Sequence, residues 1–290
     1  MPGETGAMKY KMMFMPWALM LGLSPGTNAD EHRVLYPESV EIRVFYEQGK
    51  TIFNTSMSDN GSEHYFTDSN PDTREDGAPT ALWVRTADGA APVPTPGIGI
   101  PADVHITPNA ETLYFTEFAA EHSYILSMKR ADGGWSAPEK VTELEMEGGA
   151  SYVTSTRSGE RVFSSAGDIY FLGDGEPEKL PRAINSDEGE YDPFIAQDGS
   201  FLIFVRQQPD IGDSNMFISF RTPAGWTNAE KLPSPFNLDK VDGSPYVTPD
   251  GRYLFFSSNR AGDGVLRTYQ APFGAWLAKT RQEHLEGGLR

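Results

Sequence analysis

Two polar pairs, three of their four members acidic, recur in nearly the same setting near the end of the chain. Glu190 and Asp192 open "EYDPFIAQDGSFLIF", and Asp242 and Ser244 open "DGSPYVTPDGRYLFF". Carboxylates held together in a partly dry cleft can act as general acid and base, or can bind cations and hydroxyl-rich ligands. Earlier copies of the pattern put Asn54 and Asp103 in the same place, and Ala150 at the third. The candidate binding set is therefore Asn54, Asp103, Glu190, Asp192, Asp242 and Ser244. His105, two residues after Asp103 on the same expected strand, joins them as a core or channel-lining residue.

Other chemistry finds little support. No G-x-S-x-G nucleophile elbow occurs, and the Ser of "GDSN" (residues 212–215) reads as part of a loop. The five histidines, His32, His64, His105, His122 and His284, show no H-E-x-x-H spacing, so no metal site is assigned. The oxygen-rich loops at 58–63 and 68–77 could hold Ca²⁺ but lack the EF-hand pattern. They read better as solvated turns. No catalytic residue and no firm cofactor is assigned.

What could bring residues so far apart in sequence to one place? The pattern around the acids is itself a repeat: a short strand, a turn centred on Asp-Gly, a hydrophobic strand ending in Phe or Ser, and a polar loop. Turn positions at Gly61, Ala110, Gly159, Gly199 and Gly251 fall at intervals of 49, 49, 40 and 52 residues. A period of 40–50 with two-residue alternation is the mark of propeller blades. Asp-Gly between apolar runs is a hairpin signal, because glycine relieves the positive φ that a tight turn demands. A third strand follows each polar loop. A fourth element carries Pro/Ala-Glu-Lys-aliphatic, as in "GEPEKLPRAINS" and "NAEKLPSPFNL". Four strands in five copies predict an all-β, five-bladed propeller; six blades would need a hidden copy built from both termini.

The last copy has three clear strands and only a weak fourth around Trp276. Upstream of the first copy, "VEIRVFY" (residues 40–46) alternates like a strand and belongs to no repeat. Because an open propeller leaves unpaired backbone on its last blade, residues 40–46 are expected to complete that blade and close the ring. The expected organisation is a leader at 1–29, a segment with the closing strand at 30–52, repeats at 53–272 and a tail at 273–290.

"SPYVTPDGRYLFFSSNR" resembles the WD40-like repeats of the TolB-type β-propeller family, whose core reads Pro-x-aliphatic-Ser-Pro-Asp-Gly-x-x-aliphatic-x-Phe-x-Ser. "DPFIAQDGSFLIF" matches well, the first two copies in part and the third poorly. The resemblance covers roughly residues 50–272 and implies the fold far more than a role. Relatives include TolB itself, which carries a further domain and six blades, and the propellers of prolyl-oligopeptidase-type peptidases. It implies an exported propeller that binds a protein or carbohydrate at its channel mouth without catalysis. A carbohydrate-active hydrolase or lyase using inner-strand carboxylates, and a TolB-like envelope partner, are the alternatives.

Composition fits. The chain is 290 residues, 38% hydrophobic, with 29 Gly, 22 Pro, no Cys and a formal net charge of −17. So acidic a chain lacks the basic footprint of a nucleic-acid or anionic-lipid binder, and without Cys it has neither disulfides nor thiolate chemistry. From Met8, two lysines, an apolar run at residues 12–23 and "TNA" ending at Ala29 form the pattern of a secretory signal peptide. The run is too short for a comfortable membrane span. A periplasmic or secreted monomer, with no stable membrane insertion after cleavage, is expected.

Overall fold

The computed structural model describes residues 51–287, apart from 70–78, 121, 209–212 and 239, together with the short strands Val34–Leu35 and Glu41–Val44. The expected leader at 1–29 lies outside the described residues.

The fold is a five-bladed β-propeller of antiparallel sheets. Blade 1 contains Ile52–Met57, His64–Asp68, Ala81–Thr86 and Gly89–Pro92. Blade 2 runs from Pro101–Ile106 through Thr112–Phe118 and Ser123–Ala131 to the short outer strands Gly134–Trp135 and Glu139–Lys140. Blade 3 comprises Ser151–Ser155, Arg161–Ser165, Asp168–Leu172 and Glu178–Lys179. Blade 4 is Glu190–Ile195, Phe201–Gln208 and Asp213–Thr222, edged by Gly225–Trp226 and Glu230–Lys231. Blade 5 has Asp242–Val247, Tyr253–Ser258 and Arg267–Pro272 from the repeat. Its fourth strand is Glu41–Val44, which pairs with the last of these (Arg43 opposite Gln270), and Val34–Leu35 pairs beyond it. The N-terminal strand closes the ring.

The five hairpin turns share one geometry. Gly61, Gly159, Gly199 and Gly251 have φ between +66° and +93°, and Ala110 sits at +59°. Each donates its N–H to the carbonyl three residues back, at 2.7–3.2 Å. These are type I turns followed by a left-handed residue, a conformation that glycine adopts without steric cost.

Apolar side chains fill the gaps between blades. Tyr65, Leu82, Val104, Leu113 and Phe115 seal blades 1 and 2, and Val153, Phe163, Tyr114 and Ile125 seal blades 2 and 3. Ile169, Ile195, Leu202 and Phe204 lie between blades 3 and 4, and Phe194, Ile203, Tyr246 and Phe255 between blades 4 and 5. Hydrogen bonds stitch the seam of blades 5 and 1. There Thr268 Oγ1 donates to the Ile52 carbonyl at 2.8 Å, and Ser257 Oγ to that of Phe53.

The weak fourth strand expected around Trp276 is instead part of helix α1 (Gly274–Gly287). With Glu41–Val44 already on the blade, the chain after Pro272 has no strand to pair with. It turns away at Phe273, where a Cβ at Gly274 would stand 3.1 Å from the Gly251 carbonyl oxygen. Trp276 packs on Phe236 and Phe273, with ring centroids 5.5 and 5.2 Å apart. Ser214 of "GDSN" is likewise in a strand rather than a loop, and its hydroxyl donates to the Asp242 carbonyl at 3.1 Å. Among the described residues, no helix is long and apolar enough to cross a membrane.

Candidate functional site

Each inner strand carries a bulge near its start, where the register with the second strand slips. A bulge adds one residue and re-aims its side chain. In blades 2 to 5 the bulged residues Asp103, Tyr152, Asp192 and Ser244 all have φ between +48° and +53°. In blade 1, Asn54 follows the slip. Each of these five residues stands seven positions before its turn residue.

The third place therefore belongs to Tyr152 and not to Ala150. Ala150 lies one residue before its strand and is buried in the core between blades 2 and 3. The constant spacing of seven was readable in the sequence, and the poor third copy concealed it.

These five side chains meet. Asn54 Nδ2 donates to the Tyr152 hydroxyl at 3.0 Å, joining blades 1 and 3. Ser244 N–H donates to Asp192 Oδ2 at 3.2 Å, with the Ser244 hydroxyl 3.4 Å from the same oxygen. Gly243 makes room for that carboxylate, since a Cβ there would lie 3.3 Å from Oδ2. Thr116 Oγ1 accepts the Tyr152 N–H at 3.0 Å and hydrogen-bonds the Asp103 carboxyl. Asn54, Asp103, Tyr152 and Ser244 are buried, whereas Asp192 keeps part of its surface open.

Burial, the larger effect, and the nearby Asp192 carboxylate push Asp103 well above the usual carboxylate range. Burial also pushes Asp192 up to about 6, against the pull of the Ser244 donors. The Tyr152 hydroxyl is raised by burial and by both acids. Both carboxyls are thus raised above the usual carboxylate range, Asp103 the more strongly, and they face one another in a poorly solvated site. Such a pair can donate one proton and accept another.

Glu190 and Asp242 do not join this ring. Glu190 is buried against Arg206 (2.7 Å to Nε) and the Ser186 hydroxyl. Asp242 is fully buried against Arg260 (2.9 Å) and also accepts the Leu238 N–H. Each lies opposite the end of its second strand, where an arginine is in reach. Arg206 also donates to the Ile184 carbonyl, and Arg260 to those of Pro235 and Phe236. These pairs tie incoming loops to their blades.

His105 belongs to a belt between blades. Two residues after each ring position stand Ser56, His105, Thr154, Phe194 and Tyr246. Ser56 Oγ accepts the Ile106 N–H at 3.1 Å, His105 Nε2 the Ser155 N–H at 3.0 Å, and Thr154 Oγ1 the Ile195 N–H at 3.0 Å. Phe194 meets Tyr246 edge-on at 5.5 Å. The Tyr246 hydroxyl accepts the Met57 N–H at 2.9 Å and donates to the Met57 carbonyl at 3.0 Å. With Nε2 an acceptor, the His105 proton sits on Nδ1, 3.4 Å from Ser56 Oγ, and burial holds the ring neutral, its pKa lowered to about 3.

The sequence reading also passed over Asn185 and Asn237. Asn237 Oδ1 accepts the Met216 N–H at 2.8 Å, while Nδ2 donates to the Met216 and Leu232 carbonyls. Asn185 does the same with Ile169 and Leu180. The signal was present in "EKLPRAIN" and "EKLPSPFN", where Asn follows the Leu-Pro at a fixed spacing. Among the described residues, no three His, Asp or Glu side chains come together as a metal site.

No family model matches the chain, and no curated protein matches it. Solved structures do. A protein assigned as TolB from Agrobacterium tumefaciens superposes with a TM-score of 0.52 at 15% identity, covering 76% of each chain. The chain is a β-propeller similar to TolB. TolB from Acinetobacter baumannii gives 0.51 at 14% identity, covering 77% of this chain and 54% of that one, so this chain spans about half its length. A gluconolactonase from Xanthomonas campestris gives 0.51 at 10% identity, covering 84% of this chain and 95% of that one. At such identities the likeness is one of fold alone.

Proposed function

We propose that the protein is a binding module whose guest enters the channel mouth at Asp192. One observation carries this reading: in a polar ring that is otherwise buried, Asp192 keeps part of its surface open beside a second carboxyl, that of Asp103. A carboxylate in a concave, poorly solvated setting repels anions and favours cations or hydroxyl donors. Sugars, amines and Ca²⁺ are the guests this chemistry admits, while nucleic acid fits neither the ring nor the net charge. Calorimetry with oligosaccharides, polyamines and Ca²⁺ tests the reading. Binding should weaken at least tenfold in Asp192→Asn, and binding that survives the substitution would overturn it.

A second reading rests on two neighbouring carboxyls, Asp103 and Asp192, both raised above the usual carboxylate range, a pairing that suits general acid–base hydrolysis of a glycoside. Turnover on an oligosaccharide panel that disappears in Asp103→Asn would favour it over simple binding. The two TolB likenesses support the architecture, and an envelope partner like TolB's is tested by capture from membrane extracts.

Export forms part of the proposal and rests on the leader pattern at residues 1–29. Intact-mass spectrometry of protein from whole cells should find a chain beginning after Ala29; retention of residues 12–23 would refute it.

A further inference from the structure

Far from the ring, where the inner hairpins of blades 2 and 3 turn, a cavity of about 100 Å³ opens. Its walls include Thr107, Thr112, Tyr114, Thr156, Arg157 and Arg161. Although the chain holds 41 acidic residues, none lines this cavity. Hydroxyls and two guanidiniums surround it, so its walls are rich in hydrogen-bond donors.

Arg161 is the unusual member. Its side chain is only 17% exposed. One guanidinium nitrogen donates to Glu143 Oε1 at 2.8 Å, while its buried Nε has no hydrogen-bond partner among the described residues. A buried donor without an acceptor costs about 1–3 kcal/mol. Arg157 at the rim is held by Asp59 (2.7 Å) and Gln197 (2.8 Å), contacts that fix its guanidinium over the turn. Lys129 reaches the same wall, its Nζ donating to Thr112 Oγ1 at 3.0 Å.

We propose that this cavity is a binding site for one small oxyanion: free phosphate or sulfate, or the carboxylate or phosphate end of a small metabolite. Arginine suits it, because its fork matches the geometry of carboxylate and phosphate oxygens. The site is independent of the channel mouth and selects the opposite charge.

Thermal-shift titration with phosphate, sulfate, acetate and glycerol phosphate, each against chloride at constant ionic strength, is the experiment. The proposal expects saturable stabilisation by at least one oxyanion and none by chloride. Stabilisation by free phosphate or sulfate marks an inorganic guest; stabilisation confined to acetate or glycerol phosphate marks a metabolite end group. The midpoint concentration should rise at least tenfold in Arg161→Gln and remain unchanged in Asp192→Asn. Since Arg161 is largely buried, the exposed Arg157→Gln gives a second reading and should raise the midpoint several-fold. Shifts no larger than those of chloride, or unaltered in Arg157→Gln and Arg161→Gln, would overturn the proposal.

Discussion

The Ser155 N–H of blade 3 donates to His105 Nε2 of blade 2 at 3.0 Å, and the Ser155 hydroxyl lies 2.9 Å from the same nitrogen. A histidine so placed must stay neutral to keep its acceptor, so the joint between two blades is sensitive to acid. His105 and His64 both fall from 6.5 to about 3 on folding, chiefly through burial.

Between pH 6.5 and about 3 the unfolded chain therefore binds protons that the folded chain refuses. Their contribution is complete above pH 6.5 and is lost as pH falls. Melting temperature should drop steadily through that window. His105→Gln should lower stability by about 1–3 kcal/mol at pH 7.5, since a buried partner is altered, and flatten the acid limb. Calorimetry across pH checks both.

Asp192 has the opposite sign. Its folded pKa of about 6 lies above its ordinary 3.8, so its charge destabilises the fold above pH 6 and that penalty fades on acidification. Asp192→Asn keeps an acceptor for Ser244 and suits the left-handed backbone at φ +49°. It should raise stability at pH 8 by about 1–2 kcal/mol. Chemical denaturation at pH 8 and pH 4 measures the difference, and the gain should shrink at pH 4.

The fully buried pair of Arg260 and Asp242 gives a sharper test. Arg260→Met leaves a carboxylate without its cation and frees two loop carbonyls, and should cost about 3–5 kcal/mol. Replacing both, as Asp242→Leu with Arg260→Met, should cost less than the single change. A double-mutant cycle in urea decides it.

Among the five inner-hairpin turn positions, Ala110 is the one that is not glycine, at φ +59°. Ala110→Gly removes the steric cost of that conformation, about 1–2 kcal/mol, against about 0.4–1 kcal/mol of added unfolded-state entropy. A net gain of about 0.5 kcal/mol is expected, while Gly251→Ala should lose stability. Parallel melts compare them.

Deleting residues 30–50 removes Glu41–Val44 and bares the outer edge of Arg267–Pro272. The truncated chain should unfold or self-associate through that edge. Light scattering after gel filtration would show oligomers or aggregate, and a monomer with an unchanged melt would contradict the closure.

Local backbone chemistry made the blades legible. Asp-Gly turns fall where a left-handed residue is needed, and alternating strands beside them announce the hairpins, so five copies and the closing strand at 40–46 could be read from spacing alone. Asn54, Asp103, Asp192 and Ser244 were also readable as one ring, because a repeat places equivalent residues around one axis. Partners were not. Glu190 and Asp242 look like Asp103 and Asp192 in sequence, yet arginines 16 and 18 residues later take them. Tyr152 replaced Ala150 because the bulge, which depends on two paired strands, chooses the residue that enters the channel. Trp276 became helical because the last blade had already received its fourth strand from the other end of the chain. Sequence determines what each residue can do locally; which donor meets which acceptor depends on distances that exist only once the ring has closed.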